Sequence, residues 1–82
     1  MEITPGALKH GVPEAAIRAV LGAPLRRVPQ GERTLYIGLA EGPDLLEVVV
    51  DADRVVHAMR LRPKNYPHLT GESPPDHGPP PR

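Results

Sequence analysis

Leu45–Lys64 reads LLEVVVDADRVVHAMRLRPK, and this stretch decides the fold. Leu45–Val50 is an aliphatic run rich in β-branched residues, Asp51-Ala52-Asp53 carries turn formers, and Val55–Leu61 resumes an apolar period of two. Two such runs across a short turn read as an antiparallel hairpin. Under strict alternation His57 shares a strand face with Val55, Met59 and Leu61, while Arg60 and Arg62 share the other with Val56 and Ala58. The second strand runs out into Arg60, Arg62 and Lys64 with no acid among them. A strand that leaves the core carrying cations is the first place to look for function.

Upstream of the hairpin the pattern is helical, then extended. Met1–Ile3 is a short strand or an extended lead. Thr4-Pro5 suits a helix start, with Thr as N-cap and Pro at the first helical position, and Gly11 ends that turn after Ala7-Leu8-Lys9-His10. Pro13-Glu14 opens a second helix, on which Ala16, Ile17, Val20 and Leu21 share one face until Gly22 and Pro24 close it. Leu25–Val28 and Arg33–Gly38 read as strands across a Gln30-Gly31-Glu32 turn, and Glu41–Asp44 is a loop. The expected fold is therefore α+β: two short N-terminal helices packed on a three- to four-stranded antiparallel sheet.

Downstream, Pro63, Pro67, Pro74, Pro75, Pro79, Pro80 and Pro81 crowd the end of the chain, with few apolar residues after Leu69. Such a segment buries too little surface to offset its ordering entropy, so Thr70–Arg82 reads as disordered. The domain reading is one folded unit over 1–66 and a Pro-rich flexible tail over 67–82. A core of that size has marginal stability and gains from a partner.

Composition narrows the function. Ten basic and ten acidic residues give a formal net charge of zero, unlike the basic excess of a general nucleic-acid binder. Absence of cysteine removes disulfides and thiolate chemistry. There is no apolar run of membrane-spanning length and no signal-peptide pattern, so the expected setting is cytoplasmic, without a membrane. His68 and His77 are isolated and make no metal site, and no cofactor is expected.

Lys9-His10-Gly11-Val12, a short helix, Ala23-Pro24-Leu25, Ile37-Gly38, the run Leu45–Val50, and Val55-Val56-His57-Ala58 ending in basic residues together resemble the BrnT-type toxins of the RelE-like toxin–antitoxin superfamily. The resemblance covers residues 3–64 and rests on order and spacing. It implies a RelE-like α+β fold, messenger RNA as substrate, and a cognate ribbon-helix-helix antitoxin as partner. Lys9 and His10 match the family's lysine-histidine motif, and His57-Ala58 stand where the family has serine-alanine. Met59 occupies the position of the family's arginine, with Arg60 one place later.

Metal-free RNA cleavage needs a base for the 2′-hydroxyl proton, an acid for the leaving oxygen, and cations for the charge on phosphate. Lys9, His10, His57, Arg60 and Arg62 are the candidate catalytic residues; Arg60, Arg62, Lys64 and Tyr66 are the candidate RNA-binding ones. Each has a plainer role available. His10 sits where an imidazolium meets a helix C-terminus, His57 fits a hydrogen-bonded strand position, and the tyrosines fit packing. The function expected is a toxin-type, metal-independent endoribonuclease; the alternative is a non-catalytic partner-binding or regulatory module of the same fold.

Overall fold

Residues 1–40 and 42–70 are described by the computed structural model. Glu41 and residues 71–82 lie outside them, and with them most of the expected tail. The central hairpin forms as its sequence pattern requires: β4 (Leu45–Asp51) and β5 (Arg54–Arg60) run antiparallel. Their tight turn puts Ala52 at φ +57°, a left-handed conformation that hairpin turns normally assign to glycine or asparagine.

Two N-terminal helices on a three- to four-stranded antiparallel sheet is not the architecture. The sheet has five strands in the order β1-β5-β4-β3-β2, with β2 at Arg26–Gln30 and β3 at Arg33–Leu39. It is mixed, because β1 (Glu2–Ile3) runs parallel to β5. Backbone bonds from Glu2 N to Asp53 O (3.0 Å) and from Thr4 N to Val55 O (3.1 Å) seat β1. Helices α1 (Pro5–Leu8) and α2 (Glu14–Gly22) are joined by a third, α3 (Tyr66–Thr70), which follows a 3-10 turn at Pro63–Asn65. The fold thus runs past residue 66, and Leu69 of α3 packs beside the sheet.

The two faces of the sheet are covered differently. On one, Ala7, Val12, Ile17 and Val20 meet Leu46, Val48, Val50, Val55 and Ala58. On the other, Leu35, Ile37 and Leu61 cluster with Val28, Leu45, Val49 and Leu69. Sealing a side chain such as Ile17 or Val48 from water contributes about 1.5–3 kcal/mol. Gly38 lets α2 close on the sheet, since a Cβ there would come within 3.3 Å of Val20 Cγ1 and 3.5 Å of Pro24 Cα. Pro29 is tolerated because β2 is an edge strand.

One irregularity sets the position of the site. Val50 pairs with Val55, but Val49 pairs with His57, so Val56 is an extra residue in β5. Such a bulge breaks the period of two. Val55 and Ala58, three apart, both face the helices, and His57 is turned to the other side opposite Val49. His57 therefore does not share the face of Val55, as uninterrupted alternation predicts.

Candidate functional site

The centre of the site is Glu47, a carboxylate in the middle of β4 whose side chain is wholly buried. It lies on the face away from α1 and α2, opposite Ile37 on β3 and Met59 on β5. Its Oε1 accepts from the Arg62 backbone N–H and from Asn65 Nδ2, both at 2.9 Å. Its Oε2 accepts from Arg62 Nε at 2.8 Å, Arg62 Nη2 at 2.6 Å and His57 Nε2 at 2.8 Å. Burial by itself raises a carboxyl pKa; the Arg62 side-chain and backbone bonds, with those of Asn65 and His57, outweigh it and lower Glu47 from its ordinary 4.5 to about 2.

That ionisation fixes the histidine. A carboxylate can only accept, so His57 Nε2 carries the hydrogen that meets Oε2, and in the neutral ring Nδ1 holds the lone pair. Arg62 Nη2, 3.4 Å from His57 Nε2, is then a second donor converging on the same oxygen, not a partner of the histidine. The His57 side chain keeps 22% of its surface exposed, so the ring that Glu47 orients still reaches solvent in part.

His10 reaches this ring from the turn that follows α1. Thr4 caps α1 through its hydroxyl oxygen, which accepts from Ala7 N, and the same hydroxyl donates to Val55 O at 2.8 Å. The helix is thereby pinned beside β5. Gly11, at φ +83°, turns the chain just after His10. The rings of His10 and His57 lie edge to face, with centroids 5.7 Å apart.

The expected cation cluster is divided. Arg60 lies opposite Leu46, at the rim of the helix-covered face, and its Nη2 is 3.0 Å from Asp44 Oδ2. The strand ends at Arg60, and Arg62 belongs to the Glu47 face instead. The two arginines therefore do not share a face with each other. Lys9 is exposed at the end of α1 and Lys64 in the 3-10 turn. Tyr66 is exposed at the start of α3, against a cleft of about 430 Å³ bordered by Leu45, Leu61 and Leu69. A second cleft, of about 470 Å³, opens on the helix side between His10, Ala15, Ala16, Ala40 and Leu46. The Asp44–Arg60 pair borders both.

The structure thus brings His57 to Arg62 on one side and to the His10 ring on the other, and separates Arg60 from His57 and Arg62, leaving it on the lining of the helix-side cleft with His10. Glu47, Asn65 and Asp44 were not singled out by sequence. Glu47 did carry a signal, being a charge enclosed by Leu45, Leu46, Val48 and Val49, which must find partners if the strand is buried. Among the described residues no group of three or more His, Asp or Glu side chains could hold a metal, and no helix is long and apolar enough to cross a membrane. Comparison with family models, with curated proteins and with solved structures finds no match for this chain.

Proposed function

We propose that this chain is a toxin-like, metal-independent endoribonuclease of the RelE-like kind, acting on messenger RNA. The observation that carries the reading is the oriented pair: His57, held by Glu47 at 2.8 Å, with the His10 ring 5.7 Å away. In this mechanism His57 Nδ1 takes the proton from the 2′-hydroxyl, and the 2′-oxygen attacks phosphorus. The bond to the 5′-oxygen breaks, a 2′,3′-cyclic phosphate forms, and His10 in its imidazolium form supplies the proton that the departing oxygen needs. Lys9, exposed beside His10, is the cation nearest in sequence for the phosphate. Glu47 acts through His57 and is a positioning residue. The resemblance, not the geometry, supports a small ribbon-helix-helix antitoxin as the silencing partner.

One observation favours a second reading, a non-catalytic partner-binding module. Arg60 and Arg62 are both already paired, with Asp44 and Glu47, which leaves less free positive charge for RNA than the sequence promised. Induced expression in a bacterial host, with growth and total RNA followed together, separates the two. The ribonuclease reading expects growth arrest with RNA cleavage, both lost in a folded Lys9→Ala/His10→Ala variant. Normal growth with intact RNA at good expression favours the binding module.

A further inference from the structure

We infer that the cleft beside His10 is a guanine-binding site, which seats one base of the RNA next to the phosphate to be cut; the inference rests on the ribonuclease reading. The cleft, about 470 Å³, is of a size to take one nucleotide. Its Ala15, Ala16, Ala40 and Leu46 walls are small and apolar, suited to the flat face of a base. His10 forms part of the lining and touches His57, so a base lodged there has its sugar-phosphate beside the proposed acid and base.

The selectivity comes from Asp44 and Arg60 at the mouth. Their side chains put a carboxylate acceptor 3.0 Å from a guanidinium donor. Guanine presents the complement on one edge: N1–H and N2–H donors for the carboxylate, beside the O6 acceptor for the guanidinium. Uracil offers one donor fewer. Adenine and cytosine place an amino donor where guanine has O6, and a bare acceptor where it has N1–H. Both side chains are more than half exposed, so exchanging their mutual contact for a base costs little. The cleft on the opposite face shares this pair but lacks His10, which favours the helix-side cleft as the seat.

The test is a titration of the full chain with guanosine, uridine, adenosine and cytidine 3′-monophosphates, followed by amide NMR. Guanosine monophosphate should bind about tenfold more tightly than the adenosine compound. Its shifts should fall on Ala15, Ala16 and Ala40, and Asp44→Ala should abolish the preference while the spectrum remains that of the folded chain. Equal affinities, absence of binding, a preference kept in Asp44→Ala, or shifts centred on Leu61, Tyr66 and Leu69 would each overturn the inference. RNA cleavage without base preference would sink the cleft alone; absence of cleavage with guanine-selective binding would sink the ribonuclease reading and leave the site standing.

Discussion

His57 Nε2 lies 2.8 Å from Glu47 Oε2, and the carboxylate it meets is wholly buried. The same carboxylate receives the backbone and side chain of Arg62 and the side chain of Asn65. One buried charge therefore both orients the histidine and fastens the 3-10 turn and α3 onto the sheet.

Replacing Glu47 by Gln leaves the shape but turns an amide donor toward Arg62, Asn65 and His57 and strands their hydrogens. The expected loss is about 3 kcal/mol of folding stability. Denaturant unfolding of the variant against the parent measures it. A change below about 0.5 kcal/mol would show that the network is not holding the fold.

The pH dependence follows from the same residue. Glu47 titrates at about 2 when folded and near 4.5 otherwise, so its contribution is fully present above 4.5 and lost as pH falls through 2. That interval corresponds to about 3 kcal/mol. Stability curves of the parent and Glu47→Gln should converge as pH falls across this window. Parallel curves would contradict the lowered value.

Ala52 sits at φ +57°, where a Cβ is strained and glycine is not. Ala52→Gly should stabilise the hairpin by about 0.5–1 kcal/mol, less whatever glycine adds to the entropy of the unfolded chain. Thermal unfolding reads the sign.

Deletion of Val56 tests the bulge. Because Val56 is the extra residue, its removal leaves Val50 opposite Val55 and Val49 opposite His57 in a regular ladder. His57 should stay on the Glu47 face, with its bonded imidazole hydrogen still visible by NMR. Uninterrupted alternation in the parent strand predicts the reverse, an inversion of every side chain beyond residue 55.

Much of the scaffold was legible in the sequence, because period-two and helical patterns report burial directly. α2 and the β4–β5 hairpin came from such patterns. The bulge did not, since Val55-Val56 presents an aliphatic side chain to either face and so hides a slip between them. β1 has two residues, too few for alternation to register, and its place was set by backbone bonds to Asp53 and Val55. α3 is marked by Leu69 alone in a proline-interrupted stretch, and it docks through Leu69 and the Glu47 contacts to the preceding turn. Of the site, His10 and His57 were found by residue type. The spacing of Arg60 and Arg62 places them on one strand face, but the end of β5 between them puts them on opposite sides. Only the fold could reveal that Glu47, 15 residues from Arg62, 18 from Asn65 and 10 from His57, gathers them at one point.

In the proposed function, His57, oriented by Glu47, cleaves RNA without a metal. The purified protein should be incubated with RNA in excess EDTA, beside His57→Ala shown by its NMR spectrum to be folded. The cleavage products should end in 2′,3′-cyclic phosphate, and the rate should be about 10²-fold lower or more in the variant. Intact RNA with the folded parent chain, or equal rates in the two proteins, would contradict it.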